Sequence, residues 1–226
     1  MTNNDSITIT KLTLWQGLTG LFAALLVLSI ATGGFGFGGN AAPRATGTTG
    51  SATQGTLLQA SGDNGNTKGN PDAPVTITKY SSFSCGFCNT VRPTLDQVMA
   101  EYGDDVKIVY KHFDRTNGGV DSRAAQATEC AGEQGQFWEM HDMIFDRGPS
   151  GNVQAYAQDL GLDMNDFNEC LNSQRYAELV QQHTNEARSL GFSGTPSFKI
   201  NDGQLVGAQP FPAFQQAINA ELARVG

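Results

Sequence analysis

The sequence predicts an α/β domain with an all-helical insertion, preceded by an N-terminal transmembrane helix and a flexible linker. Three observations predict it. A β-branched run, Val75-Thr76-Ile77-Thr78-Lys79-Tyr80, leads directly into a Cys-x-x-Cys pair and then a helical repeat. Most of the stretch from residue 121 to residue 190 reads as helix. A short hairpin and an amphipathic helix close the chain.

The 226 residues leave room for one domain of roughly 100 to 200 residues plus accessory sequence. Residues 1–11 are a short polar N-terminus. Residues 12–32 contain no charged side chain and centre on Leu21-Phe22-Ala23-Ala24-Leu25-Leu26-Val27-Leu28. At about 1.5 Å per residue, such a helix reaches across the roughly 30 Å hydrocarbon core. The apolar run exceeds that of an ordinary signal peptide, and Ala31-Thr32-Gly33 is a weak exit site, so an uncleaved anchor is expected over a cleaved signal. Lys11 precedes the segment and the next basic residue is Arg44. This places residues 1–11 in the cytoplasm and the bulk of the chain outside it, a single-pass protein of the cell membrane with an extracytoplasmic domain. Residues 33–69 hold much of the chain's glycine together with Ala, Thr, Ser and Asn, too few large apolar groups to offset the entropy of ordering, and read as a flexible linker.

The folded domain is expected over residues 70–226. After the strand at 75–80, Val91, Leu95, Val98 and Met99 recur at helical spacing, and Pro93 is expected to kink that helix. Val106-Lys107-Ile108-Val109-Tyr110 reads as a strand covered on both faces. Residues 121–146 and 152–190, separated by Pro149, are rich in Ala, Glu, Gln and Leu and form the helical insertion, about 120–190. Ser197–Ile200 and Gln204–Val206 flank Asn201-Asp202-Gly203, whose Asp-Gly step favours a tight hairpin turn. Phe214, Ile218 and Leu222 then mark a helix opened by Pro212.

Charge excludes one class of partner. Beyond residue 70 there are 11 basic against 20 acidic side chains, so the domain repels nucleic acid. The four cysteines fall as a close pair, Cys85 and Cys88, and two distant singles, Cys130 and Cys170. A zinc ribbon needs a second close pair or closely spaced histidines. Here His112, His141 and His183 are scattered, so no metal or other cofactor is expected, and each histidine is read as a surface or packing residue.

The succession of strand, Cys85-Gly86-Phe87-Cys88 opening a proline-kinked helix, helical insertion, and Gly194-Thr195-Pro196 before a hairpin resembles the DsbA-like family of thioredoxin-fold proteins. Val109-Tyr110-Lys111-His112-Phe113 and Gly207-Ala208-Gln209-Pro210-Phe211 add to the likeness, which covers about residues 70–226. The resemblance implies a thioredoxin fold and a protein thiol-disulfide oxidoreductase acting on reduced or misfolded exported proteins. It implies a membrane quinone-linked redox partner of the DsbB or VKOR type. It also implies a cis bond at Pro196 facing the cysteines, with Thr195 and Pro196 bordering the sulfurs.

Cys85 at a helix start lies near unpaired N–H groups that favour a thiolate, so it is expected to be the nucleophile, with Cys88 resolving the mixed disulfide. Cys130 and Cys170 fall on separate helices and are expected to form a structural disulfide, the alternative being two buried thiols. Two residues depart from the family pattern. Lys79 stands where relatives commonly carry an acid; with Lys111 on the neighbouring strand it is expected to lower the Cys85 pKa, unless it is a lysine snorkelling from a sheet edge. Phe87 stands where strongly oxidising relatives often have histidine, which removes one thiolate stabiliser. These changes oppose each other, so oxidase and isomerase or reductase directions both stand at this point. A non-catalytic chaperone and a metal carrier are the alternatives from other classes.

Overall fold

A computed structural model describes residues 65–225. Residues 1–11, the membrane segment at 12–32 and the linker up to residue 64 lie outside the described residues. Among those described, no helix is long and apolar enough to cross a membrane.

The sheet has five strands: β1 (Thr67–Gly69), β2 (Val75–Ser81), β3 (Val106–His112), β4 (Ser197–Ile200) and β5 (Gly203–Val206). Their spatial order is β1-β3-β2-β4-β5, which makes β2 the central strand. Among the described strands only β2 and β3 run parallel, in the register Lys79↔Tyr110 and Ser81↔His112. A parallel pair requires a crossover. Here it is made by α1 (Gly86–Thr90) and α2 (Arg92–Tyr102). The two helices break at Val91 because Pro93 has no N–H to offer the Asn89 carbonyl one turn back.

β1 corrects the expected boundary. Thr67–Gly69, expected as linker, pairs antiparallel with Lys107, Ile108 and Val109. The strand is three residues long and lacks apolar alternation, so its support is tertiary. The Asn66 side-chain amide donates to the Tyr110 carbonyl at 3.1 Å, and the Trp138 indole donates to the Thr67 carbonyl at 3.4 Å. Gly69 is required there: its φ is +103°, and a Cβ would stand 2.8 Å from the Val106 carbonyl oxygen.

The insertion comprises α3 (Val120–Gly132), α4 (Phe137–Arg147), α5 (Val153–Asp159), α6 (Met164–Asn172) and α7 (Ala177–Ser189). Asn152 and Asp163 cap α5 and α6, each side chain accepting from two backbone N–H groups of the first turn. The chain closes with α8 (Phe211–Val225), whose Phe214 and Ile218 are buried against Phe198, Ile200, Val75 and Ile77. The β4–β5 turn is centred one residue earlier than its Asp-Gly step suggests. Asn201 takes the left-handed conformation at φ 44°, and its side chain accepts from Thr76 N–H at 2.9 Å. Asparagine tolerates that region better than most residues.

Period-two alternation puts Val75, Ile77, Lys79 and Ser81 on one face of β2, with Tyr110 and His112 beside the last two. Apolar side chains of α2 and α8 cover the first half of that face. The second half meets Cys88 and the insertion, where Phe83, Phe137, Met140, Ile144 and Phe145 build a second core. On the opposite face Tyr80 packs with Phe113, Ala187 and Phe192.

Candidate active site

Cys85 is the N-cap of α1, immediately after β2 and the loop Ser82-Phe83-Ser84. That loop is held from across the molecule. The buried Asp121 carboxylate in the first turn of α3 accepts from Ser84 N–H at 2.8 Å, Ser82 Oγ at 2.8 Å and Ser84 Oγ at 3.0 Å. The insertion thus sets the approach to the cysteines. No spacing in the sequence signals Asp121, because its partners lie 37 and 39 residues away.

The two sulfurs occupy different environments. Cys85 is half-buried and free, and its Sγ donates to the Thr195 carbonyl at 3.2 Å. Burial pushes its thiol up, but the Thr195 hydroxyl and the N–H groups of Cys88 and Phe87 outweigh that, and the pKa falls below the ordinary thiol value. The buried Thr195 hydroxyl serves both sulfurs, since it also offsets part of the rise at Cys88. Cys88 is fully buried, and burial is the largest effect raising its pKa; the Ser81 hydroxyl and Ser82 N–H offset it in part. The Thr195-Pro196 peptide is cis, and Gly207 N–H donates to the Pro196 carbonyl at 2.8 Å.

Lys79 and Lys111 are not placed as a pair that tunes Cys85. Lys79 lies on the central strand, not at a sheet edge, and is 2% exposed. Its Nζ stands 5.5 Å from the ring centroids of both Tyr110 and Phe145. Burial lowers its pKa to about 8, and the cysteine it senses is Cys88. Lys111, one position further along β3 than Tyr110, projects to the opposite face and pairs with Glu186 of α7 at 2.6 Å. Phe87 is 68% exposed beside Cys85, so it presents an apolar surface next to the nucleophile.

Cys130 of α3 and Cys170 of α6 are bonded, Cα to Cα 5.9 Å. The histidines are all buried, which selects the packing alternative over the surface one. His112 Nε2 meets Glu129 Oε1 at 2.9 Å in the interior. His141 Nδ1 meets Asp142 Oδ1 at 2.8 Å. No group of metal-ligating residues occurs among the described residues.

A cysteine pair whose first sulfur sits at the start of a helix, facing a cis-prolyl loop on a mixed sheet, places the molecule among thioredoxin-fold proteins, and the helical insertion makes it DsbA-like. Residues 62–220 match the thioredoxin family, and the chain belongs to it. Among solved structures, the fold is similar to DsbA2 of Pseudomonas aeruginosa, with a TM-score of 0.60, 25% identity, and 69% of this chain and 92% of that one covered. It is similar also to BdbD of Bacillus subtilis, with a TM-score of 0.63, 19% identity, and 71% and 94% covered. Among curated proteins, the chain is 32% identical over 165 residues to the Na(+)/H(+) antiporter NhaA 3 of Salinispora tropica, covering 71% of this chain and 25% of that protein. The chain spans about a quarter of the length of the curated relatives it matches.

Proposed function

We propose that the protein is a thiol-disulfide oxidoreductase that forms or exchanges disulfides in exported proteins through Cys85 and Cys88. The observation that carries this reading is the asymmetry of the pair: a half-buried sulfur at the start of α1 against the cis-prolyl loop, next to a fully buried one. A client thiolate attacks Cys85 Sγ of the disulfide, and the Cys85–Cys88 bond breaks with its electron pair leaving on Cys88. A second client thiolate then attacks the client sulfur of the mixed disulfide and releases Cys85 as a thiolate. The client dithiol is oxidised and the pair reduced. A leaving Cys85 that is stable as a thiolate favours the oxidising direction.

Thr195 and Pro196 border Cys85 and in this reading present backbone to an extended client, while Phe87 supplies apolar contact. Residues 12–32 anchor the domain outside the cytoplasm, where a quinone-linked membrane partner of the DsbB or VKOR type reoxidises the pair. The test is redox equilibration of the full chain with glutathione, combined with oxidation of a reduced dithiol peptide. A potential well above roughly −270 mV, and loss of peptide oxidation in Cys85→Ser, are expected. A potential near that thioredoxin value rejects the oxidase direction, and undiminished oxidation by Cys85→Ser rejects the activity.

A further inference from the structure

In a domain with surplus acid, most cations are already engaged. Lys68, Arg92, Lys111, Arg147, Arg175 and Arg224 each meet a carboxylate. Lys107 and Lys199 donate to backbone carbonyls, and Lys79 is buried. Among the described residues this leaves the side chains of Arg115, Arg123 and Arg188, all exposed, without an ion pair or hydrogen bond. Arg115 and Arg188 line one cleft of about 490 Å³, together with Phe113, Asn117, Phe192 and Ser193. Asp114 lies in the same wall but is buried and pairs with neither arginine. Its carboxylate accepts from Thr116 N–H at 2.7 Å, the Thr116 hydroxyl at 2.8 Å and Gly118 N–H at 2.6 Å. Arg188 stands in the last turn of α7, where a cation complements the helix dipole. That role does not account for Arg115 in the same cleft.

The cleft is tied to the nucleophile from both walls. Ser193 lies two residues before Thr195, whose carbonyl accepts from Cys85 Sγ at 3.2 Å. Arg115 N–H donates at 3.3 Å to Asp121, the carboxylate that also holds Ser82 and Ser84 ahead of Cys85. At about 3.3 Å per residue, an extended client joined to Cys85 brings a side chain two or three positions from its own cysteine over this cleft.

We propose that the cleft of Arg115 and Arg188 is a client-selecting subsite that takes an acidic side chain two or three residues from the client's reacting cysteine. This rests on the oxidoreductase reading and names the client class: extended exported chains with a carboxylate close to the thiol. Two guanidinium groups in one concave site offer a carboxylate charge-assisted, forked hydrogen bonds. The acidic remainder of the domain repels the same chain, so attraction at the cleft also fixes how the client lies against Cys85.

Oxidation of reduced dithiol peptides by the oxidised full chain tests this. The peptides carry Asp, Asn or Lys two or three residues before the first cysteine or after the second, and are compared by second-order rate constant. For one of these placements Asp should react at least about threefold faster than Asn, and Lys more slowly, at about 0.01 M ionic strength. The advantage should vanish at about 1 M. An acidic domain without the subsite predicts the reverse order. The ratio of Asp to Asn rates cancels any general loss of activity in a variant. It should fall to about one when Arg115→Gln and Arg188→Gln are combined, invert in Arg188→Glu, and survive largely intact in Arg188→Lys. Arg123→Gln removes an equal charge from a different cleft and should leave the ratio as it was. A ratio of one or less at every placement in the unaltered chain, or one that Arg123→Gln lowers as much as Arg188→Gln does, would overturn the proposal. Failure of the unaltered chain to oxidise any of the peptides counts instead against the oxidoreductase reading.

Discussion

Asp121 joins the redox loop to the helical insertion through one buried carboxylate. Its removal leaves the Ser84 N–H and two hydroxyls without their charged acceptor. Asp121→Ala is therefore expected to lose about 3 kcal/mol of stability, measured as a lower urea midpoint at unchanged slope, with slower alkylation of Cys85. Linear spacing conveys little at this scale. Cys85 and Cys88 were legible because their chemistry needs them close, with two residues between. Asp121 and the Thr195 hydroxyl act across long sequence separations, so nothing nearby marks them. Lys79 was legible as a departure, but its surroundings were not. Pattern alone gives it the same face as Ser81, and only the packing of the insertion shows that it is buried between the Tyr110 and Phe145 rings.

The insertion contains several short helices, and α3 and α6 are joined covalently by Cys130 and Cys170 across a separation of 40 residues. Chain entropy assigns such a loop about 4 kcal/mol. Cys130→Ala with Cys170→Ala should lower stability by that order in guanidinium titration. Because α3 carries Asp121, reactivity of Cys85 should fall in parallel. Strong elements were readable from period and composition: β2, β3, the hairpin and α8 each carry their own pattern. β1 was not, since Thr67-Lys68-Gly69 has no apolar alternation and is ordered by contacts from Asn66 and Trp138. The hairpin turn falls one residue earlier than the Asp-Gly step predicts, because the bond from Thr76 N–H to the Asn201 side chain fixes Asn201 in the left-handed region.

Across the whole domain, buried titratable groups link stability to pH. Burial holds His141 at about 4 and His183 at about 3, each below its unfolded value of 6.5. Between those limits the unfolded chain binds protons that the native state does not. Stability is therefore full above pH 6.5 and falls on acidification, by roughly 3 to 5 kcal/mol for each histidine. Guanidinium midpoints at pH 7 and pH 4.5 check this, and equal midpoints contradict it. Lys79 has the same sign at higher pH: its stabilising contribution is complete above 10.5 and lost as pH falls through about 8. At neutral pH the charged amine costs about 3 kcal/mol, so Lys79→Met should be the more stable protein. Fold, electrostatics and the opened disulfide all converge on one accessible sulfur. The most direct test is the pH dependence of iodoacetamide labelling at Cys85 in the reduced full chain, read by mass. A midpoint clearly below the ordinary thiol value of about 8.5 is predicted; a midpoint at or above it would contradict the account.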